Sequence, residues 1–157
     1  MVSREGCFFL SSIPWPYSIK SFVLRLYGAK VGHGLVIKPR VNIHFPWKIV
    51  LADHVWIGEE VMILNFEPIV IGAHSCVSQR VFLCTGNHNY RDPHFGYRNS
   101  PIFIGSGVWV GAGSIVCPGV TVSDNSVICA GSVVSTDIPE NMVCAGNPAL
   151  PKHFRWS

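Results

Sequence analysis

Aliphatic residues recur every six positions in the second half of the chain. The position after each of them is small, and the fourth position of each unit is Gly, Asn or Asp, the residues that tolerate a positive φ at low cost. A helix, with about 3.6 residues per turn, cannot keep this period. The pattern predicts very short strands separated by corners, each strand placing one branched side chain in a shared interior. The aliphatic positions are Ile104, Val110, Val116, Val122, Ile128 and Val134.

A weaker form of the same repeat is present earlier in the chain. Its three runs are Val31, Ile37, Ile43 and Ile49; then Leu51, Ile57, Ile63 and Ile69; then Ile71, Val77 and Leu83. Each shift of two residues between runs predicts a bulged corner. Residues 84–103 are polar and aromatic and lack the repeat, which predicts an inserted loop, and such a loop in a regular solenoid is a typical place for function. We therefore expect an all-β, parallel solenoid over residues 30–139.

The two ends of the chain do not follow the repeat. In the N-terminal segment, residues 1–29, Pro16 suits the first turn of a helix and Gly28 suits its end. An amphipathic helix between them would close the open end of the solenoid or, alternatively, touch a membrane surface. We expect residues 140–157 to form an irregular C-terminal tail, and residues 1–157 to form a single domain. The helical spacing is carried by Ile19, Phe22, Val23, Leu26 and Tyr27.

Composition narrows the possible partners and compartments. The formal net charge of +3 is far too small for the dense basic stripe of a nucleic-acid-binding protein. We therefore expect no nucleic-acid partner. The six cysteines form no CxxC pair, and the apolar run at residues 7–10 is too short for the core of a signal peptide. We therefore expect a cytoplasmic protein with reduced cysteines. No apolar stretch of about 18 residues occurs, so we expect no transmembrane segment.

Four stretches of the sequence, in this order, resemble the hexapeptide-repeat acyltransferases, and among them the O-acetyltransferases of the colanic-acid-biosynthesis type. They are SFVLRLYGAKVGHG, LCTGNHNY, PIFIGSGVWVGAGSIVCPGVTV and AGSVVSTDIPENMVCAGNPA, and the resemblance extends over roughly residues 15–149. It implies a left-handed parallel β-helix, a hexapeptide-repeat solenoid with three repeats in each coil. It also implies a homotrimer with active sites between subunits, acetyl-CoA as co-substrate, a sugar acceptor and no metal.

The resemblance identifies His88, within TGNHNY, as the catalytic base. In this family the base removes a proton from the acceptor hydroxyl, which attacks the thioester directly in a ternary complex. An imidazole with a usual pKa near 6.5 suits this task at neutral pH. His94 is the competing candidate in the same loop. Cys84 would be a nucleophile only if an acyl-enzyme formed, which the family does not use.

The resemblance also implies contacts to both substrates. Trp109, in GVWVG, matches a family tryptophan beside the catalytic histidine and is expected to contact cofactor and acceptor, and Asn65 and Asn87 are expected to contact the acceptor. Thr136 and Leu150 stand where relatives often have cations for the nucleotide phosphates. The residues left to replace those cations are Lys152, His153 and Arg155. The remaining expected cofactor contacts are Ala112, Gly113, Ala130, Gly131, Ser135, Thr136, Asn147 and Lys152.

Two other functions are compatible with a solenoid of this kind. A zinc enzyme resembling the γ-type carbonic anhydrases needs three converging histidines, but His88 and His94 lie six residues apart rather than at that family's spacing. A catalytically inactive scaffold would fit the two missing cations. The other histidines of the repeat, which we expect at the surface or at coil edges, are His33, His44, His54 and His74.

Overall fold

Each repeat forms one short strand and one corner, and three successive strands complete a coil in the computed structural model, which describes residues 15–156. Face A contains β1 (Lys30–Val31), β4 (Ile49–Leu51), β7 (Ile69–Ile71), β10 (Ile102–Ile104) and β13 (Thr121–Val122). Face B contains β2 (Val36–Ile37), β5 (Trp56–Ile57), β8 (Cys76–Val77), β11 (Trp109–Val110), β14 (Val127–Ile128), β16 (Met142–Ala145) and β17 (Leu150–Phe154). Face C contains β3 (Asn42–Ile43), β6 (Met62–Leu64), β9 (Phe82–Cys84), β12 (Ile115–Val116) and β15 (Val133–Val134).

The core is a set of stacks of the repeat's aliphatic residues. Strands β1 to β16 pair in parallel, so equivalent residues of successive coils lie directly above one another. Burying such columns of branched side chains supplies most of the driving force for folding. On face B the fully buried column is Ile37, Ile57, Val77, Val110, Ile128 and Cys144.

The shifts of the repeat arise at one edge of the solenoid. Ile37 pairs with Ile57, twenty residues along the chain, whereas Val110 pairs with Ile128, eighteen residues along. The extra residues of the early coils lie where the chain passes from face C to face A, at residues 44–48 and 65–68; the first of these includes a 3₁₀ helix, Pro46–Lys48. The inserted loop, residues 85–101, leaves at this same corner in the third coil. We call this edge the C–A corner.

The N-terminal helix, α1 (Tyr17–Leu26), caps the first coil mainly through polar groups. In parallel strands, alternate residues direct their backbone groups to the next coil, as when the Val36 and Lys38 amides donate to the Val55 and Ile57 carbonyls. The first-coil residues between them point the other way, where no earlier coil exists, so carbonyls such as that of Ile37 have no strand partner. Lys20 Nζ donates to the Ile37 carbonyl at 2.9 Å, and the Arg25 guanidinium donates to the Val31 and Gly32 carbonyls at 2.8–3.1 Å. The helix therefore satisfies acceptors that would otherwise lack partners.

The buried side of α1 differs from the predicted apolar side. Lys20, Ser21 and Leu24 are buried, whereas Phe22 is 59% exposed and Leu26 is 68% exposed. A helix does form where the spacing predicts it. Its buried side differs because capping the carbonyls of the first coil needs cationic donors as well as an apolar contact, which Leu24 supplies. Because Phe22 and Leu26 face outward, contact with a membrane surface stays a prediction.

The segment predicted as an irregular tail contains two strands. β16 extends face B beside β14, and after a turn at residues 146–149 β17 returns antiparallel to β16. Arg155 Nη1 then donates to the carbonyls of Gly107, at 2.6 Å, and Asn125, at 3.1 Å. The tail thus covers the last coil, which has no following coil to pair with. Within residues 15–156, no helix has the length and apolar character to cross a lipid bilayer.

Candidate active site

The inserted loop is held as a small hairpin that presents His88. His88 and Tyr97 form an antiparallel bridge, and the backbone amide of Asn89 donates to the Gly96 carbonyl at 2.8 Å. The amide of Arg98 donates to the Asn87 carbonyl at 2.8 Å. These bonds fix the backbone on both sides of His88, so an exposed loop residue has a defined orientation.

The contacts of the His88 ring select its tautomer. Nδ1 lies 2.8 Å from the Phe95 carbonyl oxygen, and because a carbonyl only accepts hydrogen bonds, Nδ1 carries the proton. The Phe95 ring stacks on the imidazole with centroids 4.6 Å apart, and the Tyr97 ring lies at 5.0 Å. Nε2 of the neutral ring is therefore left with a lone pair, as a general base requires.

A small cavity of about 170 Å³ adjoins His88. Two amide side chains at its rim organise the loop: Asn99 Oδ1 accepts from the Asn87 amide at 3.0 Å, and Asn87 Oδ1 accepts from the His88 amide at 2.8 Å. Asn87 lies where an acceptor contact was predicted, although its Oδ1 is already bonded to the backbone. The cavity is lined by Leu64, Phe66, Gly86, Asn87, His88, Tyr97 and Asn99.

Asn65 is buried below this cavity rather than exposed within it. Its Oδ1 accepts from the Phe45 amide at 2.9 Å, and its Nδ2 donates to the Phe45 carbonyl at 2.7 Å. The residue is fully buried, so both ends of its amide serve to tie the C–A corners of two coils together. A direct contact with the acceptor stays a prediction, and the position argues for a structural role.

Trp109 and His88 lie on different sides of one protomer. Trp109 belongs to β11 on face B, which is the face opposite the C–A corner; its ring is 51% exposed, and its Nε1 donates to Ser78 Oγ at 2.8 Å. The exposed residues Ala112, Gly113, Ala130 and Gly131 lie at the corner between faces B and C. A single chain therefore does not bring these predicted site residues together with His88.

The corner between faces B and C can accept an extended ligand. A Cβ built on Gly113 or Gly131 would meet no atom within 4 Å, so the backbone there is open to solvent. Asn147, in the turn between β16 and β17, is exposed, and so is Lys152 in β17. Ser135 and Thr136 are exposed too, but they follow β15 at the C–A corner.

Arg155, one of the three cations expected to substitute at Thr136 and Leu150, is engaged by the backbone. Its guanidinium is bonded to the Gly107 and Asn125 carbonyls at the corner between faces A and B, away from the predicted cofactor residues. A contact between Arg155 and the nucleotide stays a prediction, and this position argues against it. Lys152 remains the exposed cation nearest in sequence to those positions.

The remaining candidates from the sequence have local roles. The His94 amide donates to Asp92 Oδ1 at 2.9 Å in the loop's tip, and Cys84 Sγ donates to the Gly86 carbonyl at 3.3 Å. His54 and His74 occupy left-handed corner positions and stack at 5.0 Å, at a coil edge as predicted. Within residues 15–156, no three His, Cys, Asp or Glu side chains form a group that could hold a metal ion.

Sequence reasoning missed the residues that orient His88. The Phe95 carbonyl, the Tyr97 ring and the Asn99 amide all act on His88 or its neighbour Asn87, and they lie seven to twelve residues further along the chain. Aromatic residues alternating with Gly and Asn after the histidine were the available signal. That signal does not reveal which of these residues the hairpin folds back onto His88.

A parallel solenoid of six-residue repeats that carries a histidine loop at one corner defines the class of hexapeptide-repeat transferases. Residues 101–136 match the family model described as bacterial transferase hexapeptide, six repeats. The protein named as a colanic acid biosynthesis acetyltransferase, WcaF, of Escherichia coli (strain K12) is 45% identical over 134 residues, covering 85% of this chain and 74% of WcaF.

Two solved structures extend the comparison. A galactoside acetyltransferase in complex with coenzyme A has a TM-score of 0.86 at 29% identity, covering 93% of this chain and 74% of that one. The hexapeptide-repeat acetyltransferase VCA0836 of Vibrio cholerae O1 biovar eltor, complexed with acetyl coenzyme A, has a TM-score of 0.84 at 27% identity, covering 91% of this chain and 80% of that one. The chain belongs to the hexapeptide-repeat acetyltransferase family, and its fold is the left-handed parallel β-helix. The predicted family, fold and enzyme class are confirmed.

Proposed function

We propose that this protein transfers the acetyl group of acetyl coenzyme A to a hydroxyl of a sugar or saccharide precursor, with His88 as the general base. The observation that carries the proposal is the bond from His88 Nδ1 to the Phe95 carbonyl, which leaves Nε2 free to accept a proton beside the cavity. The sugar is supported by the names of relatives, among them a galactoside O-acetyltransferase of Lactococcus lactis that is 30% identical.

In the proposed reaction acetyl coenzyme A supplies the acetyl group as a thioester. His88 Nε2 removes the proton from the acceptor hydroxyl as its oxygen attacks the thioester carbonyl carbon, and the resulting imidazolium then returns that proton to the departing thiolate. The Phe95 carbonyl keeps Nδ1 protonated throughout and stabilises the imidazolium. No covalent acyl-enzyme is needed, so Cys84 takes no part.

The site is proposed to be completed between subunits of a homotrimer. His88 lies at the C–A corner, whereas Trp109, Ala112 and Gly113 lie on or beside face B. A second copy that presents its face B to the C–A corner would join the two halves of the site in one groove. Lys152 is the proposed contact for a phosphate of the nucleotide.

The proposed place of the reaction is the cytoplasm, in the synthesis of a polysaccharide. The five cysteines that the structure describes are unpaired, which fits a reducing compartment. The relative WcaF carries colanic acid biosynthesis in its name, which supports a polysaccharide pathway.

The decisive experiment compares His88→Ala with its loop neighbour His94→Ala. Acetyl-dependent release of the coenzyme A thiol is followed across a panel of sugars, and coenzyme A binding is measured by calorimetry. His88→Ala should lower kcat by about 10²–10⁴-fold, the usual contribution of a general base, with unchanged coenzyme A affinity. His94→Ala should retain activity. Unchanged turnover in His88→Ala would remove His88 from its proposed role.

The same preparations test the two alternative functions. A zinc enzyme would contain about one metal ion per active site by elemental analysis and would lose activity to a chelator. An inactive scaffold would bind coenzyme A yet transfer acetyl to no sugar of the panel. We expect neither result.

A further inference from the structure

Three aromatic side chains follow one another along the C–A corner, beginning at the His88 cavity. Phe66 lines the cavity, the Phe45 ring lies 5.6 Å from the Phe66 ring, and the Trp47 ring lies 5.4 Å from the Phe45 ring in an edge-on arrangement. We call Phe66, Phe45 and Trp47 the aromatic track. Phe45 and Phe66 are half-buried, and Trp47 is 54% exposed.

The aromatic track is joined to the catalytic loop without a gap. A Cβ built on Gly86, two residues before His88, would come within 2.9 Å of the Phe66 ring, so the loop backbone rests directly on that ring. At the other end, a Cβ on Gly28 would lie 3.0 Å from Trp47 Cβ, which anchors Trp47 against the end of α1. Trp47 is two coils below the loop, about 10 Å at the usual spacing of neighbouring strands.

The track is on the opposite side of His88 from the proposed cofactor contacts. Trp109, Ala112, Gly131 and Lys152 all lie in coils that follow the loop, toward the C-terminal end of the solenoid, whereas the aromatic track lies in the first two coils. With the cofactor occupying the later coils, the aromatic track is the surface left beside His88 along the C–A corner.

The chemistry of the track suits the flat apolar face of a ring. The Lys48 ammonium donates to the Phe66 carbonyl and lies 6.0 Å from the centroid of the Phe45 ring, and the His44 ring lies 5.4 Å from that same ring. Trp47 is therefore the member of the track with the most exposed aromatic surface. Exposed indole surface can bind the C–H face of a pyranose or an aryl ring, while hydroxyls are left to the amides at the cavity rim.

We propose that the aromatic track is a second acceptor subsite, which binds the ring next to the sugar that is acetylated. The acceptor is then a glycoside or an oligosaccharide rather than a free monosaccharide. This inference rests on the proposed function and specifies its acceptor. Trp47 is the specificity-determining residue, since it is the exposed end of the track.

The test measures binding of matched one-ring and two-ring probes. The probes are methyl and p-nitrophenyl glycosides of glucose, galactose and mannose, titrated by saturation-transfer NMR against the full chain and three variants. Wild type should bind at least one p-nitrophenyl glycoside more tightly than its methyl partner. Trp47→Ala should lower that preference about five- to tenfold, Trp47→Phe should keep most of it, and Trp156→Ala, an exposed tryptophan outside the corner, should leave it unchanged.

Two other binding results would overturn the inference. Equal affinity for both members of every pair in wild type would show that no second ring is bound, and a preference that survives Trp47→Ala would place it elsewhere. Acetyl transfer is assayed separately on the same probes. His88-dependent transfer without a two-ring preference would leave the proposed function intact and remove the subsite. A Trp47-dependent preference without transfer would keep the subsite and remove the proposed function.

Discussion

At the scale of single residues, the protein uses polar side chains to fasten irregular backbone to a regular core. Asn65 is the clearest example, because its amide mirrors the hydrogen-bonding groups of the Phe45 backbone one coil away. Thr85 acts in the same way in the next coil, where its Oγ1 donates to the Leu64 carbonyl and accepts from the Glu67 amide. Together they tie the enlarged corners below the loop that carries His88.

Replacing Asn65 by Ala should destabilise the protein by about 2–4 kcal/mol, because two buried backbone groups of Phe45 lose their partners. Urea unfolding measures the loss. The matched variant Asn87→Ala, at the exposed rim, should cost much less stability. A contact between Asn65 and the acceptor would instead raise the KM for the acceptor with little change in stability, and that result would contradict the structural role.

At the scale of elements, α1 shows how the solenoid ends. Lys20 is 1% exposed, and burial, followed by the nearby charge of Lys38, lowers the pKa of its ammonium below the usual value of 10.5. The cation is nevertheless placed there because the Ile37 carbonyl needs a donor. A buried donor with a lowered pKa makes the stability of this cap depend on pH.

The sign of that dependence follows from proton binding. Between the lowered pKa of folded Lys20 and about 10.5, the unfolded chain holds a proton that the folded site has lost, so the free energy of unfolding rises with pH. Lys20→Met keeps the apolar stem and removes the titrating group. Urea unfolding from pH 7.5 to 10 should therefore show wild type gaining stability relative to Lys20→Met. Parallel pH profiles of the two proteins would contradict the prediction.

At the scale of the whole molecule, the three faces separate the functional residues. His88 and the aromatic track share the C–A corner, whereas Trp109 and most of the proposed cofactor contacts belong to face B or its edge. Within one chain these two groups of residues stay apart. Under the proposed function, a second copy of the chain would close the site.

Mixing two inactive variants tests this arrangement. In a trimer, subunits with His88→Ala and subunits with Trp109→Ala should each have little activity alone, and their co-refolded mixture should regain about a quarter of the sites, because each site needs an intact His88 from one subunit and an intact Trp109 from its neighbour. Thiol release measures the recovery. A mixture no more active than its components would place both residues' roles within one chain.

The sequence by itself determined the repeat, and through it the fold. A period of six with one branched residue and one corner residue per unit admits short stacked strands and little else, so the core columns, the coil edges at His54 and His74, and the position of the loop could be read directly. The polar break in a regular pattern is visible without coordinates, whereas the choice of His88 within the loop came from the resemblance of TGNHNY to the family.

Only the tertiary structure decided which groups surround His88 and which are buried. The Phe95 carbonyl reaches His88 through a hairpin, Asn65 is turned into the protein, and α1 uses Lys20 and Arg25 to cap carbonyls that no sequence pattern marks as unpaired. The aromatic track joins Phe66 of one coil to Phe45 and Trp47 of the coil before it, 21 and 19 positions earlier in the chain. Contacts of this kind depend on register between coils and on unsatisfied hydrogen bonds at the ends of the solenoid, which are properties of the assembled stack rather than of any single repeat.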